Sequence, residues 1–410
     1  MAVQAPRLGH IATRSDDESR FPIDSEQTIK RIGTYLAEVD RVVGLIMDIL
    51  EKFSLVEPGN TEYVGRKVFS PRVRRHVICG HEIPMVLPAF PSKSINFRDK
   101  VLGTLPDLGE ELALDRLNDL CSQIQKIYRP GAMVLIATDG ACYNDLTGVS
   151  DSNLWEYGAT LRAMVAKKGY HCIKFARFMN LLGLYTEPVM TKETFCRLLQ
   201  PSRESLMQRY LPPNFDVNVC IREDPDYHDT YNAYARFLKK DLAFGAIRDA
   251  MTSGKKYKAK VNQTAKDMIT RGVAYAALIR EQCPEHVRLS IHPSTGLTKI
   301  FIALVPQPGS VSMSPWHCAV AVDVQGRFKT GHKSVWQETH DLVYKSNRPY
   351  FFRERSDLYN WEAKVDFDHL YDRKLVIRNM ADKPHELSES DKGRLASLIA
   401  LQAQVTLEGF

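Results

Sequence analysis

The chain has 410 residues, 44% hydrophobic and 25% charged, with a formal net charge of +6. This is enough apolar material for one large or two ordinary domains, and it excludes disorder over most of the length. The mild cationic excess suits an enzyme of anionic substrates and many ordinary proteins alike, so it selects no partner by itself.

Residues 1–22 lack apolar periodicity and predict a disordered polar tail. A signal peptide would need a basic start followed by roughly 7–15 apolar residues, and a membrane span about 20; neither pattern is found, so the expectation is a cytoplasmic protein with no membrane partner. The eight cysteines stand singly, with no CxxC pair, and predict no zinc site.

From Ser25, the positions Ile29, Ile32, Leu36, Val39, Val43, Ile46 and Leu50 advance by threes and fours, one stripe of a long amphipathic helix. Arg66 to His76 predicts a basic extended stretch, with Arg72, Arg74 and Arg75 as positive charge ahead of a sheet. A strand over Met85–Leu87 then runs into Pro88-Ala89-Phe90-Pro91-Ser92-Lys93-Ser94-Ile95-Asn96. Lys93, Ser94 and Asn96 thus follow a strand directly, where open α/β sheets place their ligand sites.

Leu108, Leu112, Leu117, Leu120, Ile124 and Ile127 mark a helix stopped by Pro130-Gly131. Met133 to Ala137 forms an apolar strand ending in Thr138-Asp139-Gly140, with Asp145 shortly after. A carboxylate on that rim can accept a proton or hold an amine; the alternative is a turn in which Asp caps backbone amides. A helix from Ser150-Asp151 to about Lys168 and a strand over Cys172–Phe175 complete an alternation that predicts a parallel sheet with helical crossovers.

Residues 191–210 and 225–282 read as helical, broken at Gly254 before the cluster Lys255 to Lys260. Strands return at Val287–His292, Lys299–Val305 and Cys318–Val324, and a last helix is expected over Ser388–Leu407. Alternation on the first of these puts Arg288, Ser290 and His292 on one face. That face suits a phosphate or carboxylate bound by the guanidinium with His292 moving protons; a solvated edge strand has the same pattern. Trp316-His317 and Arg353-Glu354 are further pocket candidates, against structural roles for each.

Gly326 to Ser334 approaches a P-loop, but His332 displaces the lysine. The chain has no GxGxxG, no HExxH, and no HxD or HxE among its twelve histidines. No metal and no cofactor are therefore expected. The fold class is α/β, a Rossmann-like, largely parallel sheet with helical crossovers, a helical insertion over 191–285 and a β-rich C-terminal part. Residues 23–380 form one compound catalytic domain and 381–410 a helical tail.

Four blocks in order resemble the isocyanide (isonitrile) synthases of the pyoverdine/dityrosine biosynthesis family. They are Phe90-Pro91-Ser92-Lys93-Ser94 with Leu102 to Asp107, Asp139-Gly140 with Asp145 to Val149, Arg288 to Pro293, and Arg348-Pro349-Tyr350 with Phe352-Arg353-Glu354. The resemblance spans roughly residues 25–380. It implies joining of an α-amino acid to ribulose 5-phosphate, whose C2 becomes the isocyanide carbon, with no redox cofactor because the sugar supplies the oxidation level. On this reading Lys93, Ser94 and Arg288 hold the sugar phosphate and His292 and Asp139 transfer protons. Trp316, His317, Arg353 and Glu354 take the amino-acid end, and Arg75, Asn96, Asp145 and Ser290 add polar contacts. An iron/2-oxoglutarate dioxygenase or another tailoring enzyme is an implied downstream partner. The competing readings are an N-formyl amino acid synthase of the dityrosine type and a basic nucleic-acid binding protein, the latter without any RRM, KH or helix-turn-helix pattern.

Overall fold

The computed structural model describes residues 25–56, 59–307, 313–323, 326–355, 361–366 and 374–379. The expected polar tail and last helix lie outside these residues. The chain opens with α1 (Ser25–Ser54) and α2 (Gly65–Ile78), then alternates β1 (Ile83–Ala89), α3 (Leu108–Ile127), β2 (Ala132–Thr138), α4 (Gly140–Thr147), α5 (Asp151–Lys168) and β3 (Ile173–Ala176). A helical excursion follows: α6 (Phe178–Leu181), α7 (Lys192–Tyr210), α8 (Val217–Glu223), α9 (Pro225–Asp241), α10 (Ala246–Asp249) and α11 (Gly254–Gln282). The sheet resumes with β4 (Val287–Ser290) and β5 (Ile300–Phe301). Beyond it come a short 3₁₀ turn (Pro315–His317), β6 (Ala319–Val322), β7 (Phe328–Gly331), α12 (Lys333–Trp336), β8 (His340–Lys345), β9 (Arg348–Glu354), β10 (Trp361–Asp366) and β11 (Lys374–Asn379).

The first sheet has the order β3-β2-β1-β4-β5, and every pairing in it is parallel. The steps β1 to β2 and β2 to β3 move one way across the sheet, and the step β3 to β4 moves back. Because parallel crossovers are right-handed, α3 and α5 of the first two steps lie on one face and the helical excursion, joined by the short α4, on the other. The cores follow this division. Ile83, Met85, Leu87 and Ala89 of β1 join α1, α2, α3 and α5, whereas Val86 joins α4, α6, α7 and α11. The strand order reverses between β1 and β4, which in open α/β sheets is the crevice for a ligand.

A second sheet, β7-β6-β9-β8, is mixed, with β6 parallel to β9 and the other pairs antiparallel. Val320, Val322, Phe328 and Tyr350 from it enter the same apolar core as α3 and the first sheet. Among the described residues no helix is long and apolar enough to cross a membrane.

Three local expectations change. The basic stretch Arg66–His76 is not extended but helical, with Pro71 inside the helix, because Phe69, Val73 and Val77 fall four apart and form a buried stripe that its charges conceal. The segment after Asp139 is a helix whose amides the Asp139 side chain does not cap, so the turn weighed as an alternative there is not formed. In α1 the stripe is buried only from Val39 onward; Ile29 and Ile32 are exposed.

Candidate active site

Ends of four strands of the first sheet and the helices over them enclose a cavity of about 400 Å³, within the usual size of a small-molecule site. Pro88 ends β1, Asp139 follows β2, and Arg288, Ser290 and His292 come from β4 and its continuation. Tyr143 from α4, Asp226, Tyr227, Thr230 and Tyr234 from α9, and Gly272, Tyr275 and Arg280 from α11 close the other sides, with Lys299 just ahead of β5. This is the crevice the strand order marks.

The inner end is built by a tight approach of two strand tips. Phe90 leaves β1 with φ 58°, a left-handed value that costs a bulky residue about 1–3 kcal/mol. Its ring packs on Trp316 at 5.3 Å. The turn brings the Pro91 carbonyl so close to Gly140 that a Cβ there would lie 1.8 Å from the oxygen, so only glycine fits. Asp139 precedes this glycine, and its side chain makes no cap to α4. One of its oxygens, Oδ1, is buried with no hydrogen-bond partner. Burial pushes the carboxyl up to about 7, while its own backbone N–H and Arg288 pull the other way. Around it burial raises the phenols of Tyr143 and Tyr275, and that of Tyr234 to about 12. Tyr275 donates to the Ala137 carbonyl at 3.1 Å.

The rest of the cavity is cationic. Among the described residues no carboxylate forms an ion pair with Arg280, Arg288 or Lys299, and Arg288 Nε is buried without a hydrogen-bond partner. Burial lowers the pKa of Arg288; burial and then Arg288 lower that of Lys299, which Asp226 partly offsets. The pKa of His292 is lowered from its ordinary value by desolvation, then by Lys299 and His317, although the residue is partly open to solvent, and this favours the neutral imidazole at pH 7. Its backbone N–H donates to Ser290 Oγ at 3.1 Å. Arg288 and Lys299 are half-buried and Arg280 is exposed; because buried charge ordinarily comes paired, cations without carboxylate partners around one cavity suit an anion.

Asp139, Arg288, Ser290 and His292 therefore come together as the sequence suggested. Other expected residues do not reach the cavity. Lys93 points into the protein, where its Nζ meets Asp107 Oδ2 at 2.8 Å, Glu110 Oε2 at 2.8 Å and the Pro315 carbonyl at 3.0 Å. Burial would lower its pKa, but the two carboxylates outweigh that and raise it. Ser94 Oγ accepts from the Asn96 amide, and Asn96 Nδ2 donates to the Lys240 carbonyl, both within the loop and its support. Arg75 pairs with Glu285, ahead of β4 and so at the opposite end of the sheet. Asp145 is held by Arg271 at 2.6 Å and 2.8 Å and by Arg203 at 3.4 Å, tying α4 to α11 and α7.

Trp316 is buried against Phe90. His317 Nδ1 lies 3.2 Å from Asp241 Oδ2, at ion-pair distance though off the hydrogen-bond direction, and Asp241 is also bound by Lys100. Arg353 and Glu354 sit on β9 in the second sheet, outside the cavity lining. Sequence reasoning missed Tyr143, Tyr234, Tyr275, Arg280 and Lys299. The usable signal was in α9, where Asp226, Thr230 and Tyr234 recur every fourth residue as a polar and aromatic stripe on one face. No group of three metal-ligating side chains occurs among the described residues.

Comparisons with known proteins agree with this architecture. The model of the pyoverdine/dityrosine biosynthesis protein family matches residues 73–343, which include both strand tips and the cationic wall. The isocyanide synthase xanB of Aspergillus fumigatus is 38% identical over 97% of this chain and 54% of its own length. An L-tyrosine isonitrile synthase of Xenorhabdus nematophila is 33% identical over 63% of this chain and 73% of that protein. The crystal structure of the PvcA protein from Pseudomonas aeruginosa aligns with a TM-score of 0.66 at 28% identity, covering 76% of this chain and all of that one. The chain spans only about half the length of its Aspergillus relative.

Proposed function

The chain belongs to the pyoverdine/dityrosine biosynthesis protein family, and on that premise we propose that it is an isocyanide synthase that joins an α-amino acid to ribulose 5-phosphate. The observation that carries this reading is the wall of three unpaired cations, Arg280, Arg288 and Lys299, facing an unpaired buried Asp139 across one cavity. A sugar phosphate needs the first feature, since a dianion out of water is held best by charge-assisted hydrogen bonds. Condensing an amine with a ketone needs the second, since the ketone oxygen leaves as water and must be given protons. A carboxyl with its pKa at about 7 both gives and takes a proton near neutrality.

The revised roles place the phosphate on Arg288, Arg280 and Lys299, with Ser290 beside them. Asp139 moves the protons at the reacting carbon, and His292 stands by as a neutral imidazole that gains basicity when the dianion offsets its cationic neighbours. Tyr143 and Tyr234 supply donors and, with Tyr275, whose hydroxyl already donates to the Ala137 carbonyl, an aromatic wall for the amino acid. Lys93 supports the loop and carries no substrate.

The test is a panel of the amino acids, L-tyrosine and L-tryptophan included, each incubated with ribulose 5-phosphate and followed by mass spectrometry. The expected product is the isocyanide with its carbon from C2 of the sugar, traced by label. A product heavier by one water, a formamide from the outset, would replace this reading with the N-formyl one. No sugar-dependent product with any amino acid would end both.

A further inference from the structure

A second group of unpaired cations lies outside the cavity, around Trp155 on α5. The guanidiniums of Arg162 and Arg177 each sit 5.7 Å from the Trp155 ring, and Trp155 itself is backed by Phe195 at 5.3 Å. Arg162 belongs to α5 and Arg177 follows β3, so two separate elements deliver one charge each to the same indole. Both side chains are half-buried, and among the described residues neither has an ion pair or a side-chain hydrogen bond. Other arginines at the surface find carboxylates, as Arg66 and Arg74 do. Here none is close enough to raise either guanidinium, and Arg162 is pushed down to about 10, by burial first and then by Arg177.

The helix is cut to fit this arrangement. Trp155, Gly158 and Arg162 fall three and four residues apart on one face of α5, and side chains lean toward the helix N-terminus. A Cβ on Gly158 would lie 3.3 Å from Arg162 Nη1, so the glycine is the space over which the guanidinium folds back to the indole. Glycine in a helix interior costs stability, and here it gains the close approach. Cation–π contact compensates part of the desolvation of each arginine, but it does nothing for the repulsion between them. An oxyanion between the two would relieve both, in the bidentate geometry guanidinium favours.

We propose that Arg162 and Arg177, stacked on Trp155, form a second anion-binding site that takes the phosphate or carboxylate group of a small molecule, independent of the cavity. Nothing in it depends on the reaction assigned above. The test uses the whole chain carrying Arg288→Ala, which weakens the cavity's own anion site. Inorganic phosphate and acetate are titrated separately by calorimetry, with chloride holding the ionic strength constant. Phosphate or acetate should still bind, quench tryptophan emission, and lose at least tenfold in affinity when Arg162→Gln and Arg177→Gln are added. Gly158→Leu, a better helix former that crowds Nη1, should weaken binding with the circular dichroism of the helices unchanged. Tighter phosphate identifies a phosphorylated ligand and tighter acetate a carboxylate. Binding no stronger than that of chloride, or an affinity that survives both glutamine substitutions, overturns the proposal.

Discussion

Lys93, fully buried, and Arg288, half-buried, are cations at strands of the same sheet, and they have opposite surroundings. Lys93 has two carboxylates and a carbonyl within 3.0 Å; Arg288 has no carboxylate partner among the described residues and an orphaned Nε. The first charge is satisfied by its own fold, and the second awaits something from outside. A lysine after a strand reads as a ligand group from residue type alone, but the partner inventory decides, because a buried charge already neutralised has little left to offer a substrate.

That contrast is broken or sharpened most forcefully at Lys93. Lys93→Ala strands Asp107 and Glu110 in an apolar interior, where Glu110 also accepts from Tyr157 and the Asp107 amide. Asp107, already pushed up to about 7 by burial against the pull of Lys93, would take up a proton. The loss should be about 3–5 kcal/mol of stability, measured by urea unfolding, while the Michaelis constant for the sugar phosphate in the folded fraction stays put. A selective tenfold rise in that constant with unchanged stability would return Lys93 to the substrate.

Asp139→Asn should act in the reverse sense, costing activity and gaining stability. The folded carboxyl keeps its proton to about pH 7 while the unfolded one loses it near 3.8. The native state therefore holds the extra proton between these values, stability falls as pH rises through them, and the penalty is complete above pH 7. The gap corresponds to roughly 4 kcal/mol. The amide, which cannot ionise, should be more stable than the parent at pH 8 and nearly equal at pH 4, while turnover drops about 10²–10⁴-fold. Thermal melts at the two pH values check the first claim; an equal difference at both would mean that Asp139 is not the buried acid described.

Arg288→Ala removes a charge that the fold leaves uncompensated, so stability should hold or improve. Affinity for the phosphate ester should fall about ten- to a hundredfold, the 1.5–3 kcal/mol of one charge-assisted contact. Equilibrium binding of the sugar phosphate, set beside an unfolding curve, separates the two effects; a variant that loses stability but not affinity would make Arg288 another Lys93.

Much of the fold was legible because period and punctuation carry it. The strands at Met85, Met133 and Val287, the capped start at Ser150 and the Gly254 break stand where the apolar spacing put them. Alternation also placed Arg288, Ser290 and His292 on the cavity together. The expected site residues that lie outside the cavity lining do so for one reason. Asp107 and Glu110 neutralise Lys93 as the capping box of α3, and Arg271 neutralises Asp145 from 126 residues away. Such pairings are set by tertiary geometry, which local pattern does not encode. The same holds for Arg280 and Lys299, for which no carboxylate partner occurs among the described residues.

Asp145 offers the smallest effect and the finest discrimination, because it is the carboxylate counterpart of Lys93, close to Asp139 in sequence yet already held by arginines. Burial would raise its pKa, but Arg271 and Arg203 bring it below the ordinary value. Its stabilising pairing is thus present above about pH 4 and fades as the pH falls further. With the side chain a third exposed, Asp145→Asn should cost only about 0.5–1 kcal/mol and should leave turnover and both Michaelis constants unchanged at pH 7. Removing Arg271 instead should cost a similar amount, and removing both little more than either alone, since the two sides of one exposed pair are not additive. A double-mutant cycle by urea unfolding checks this. Loss of turnover in Asp145→Asn at full stability would mean that α4 presents two working acids to the cavity rather than one.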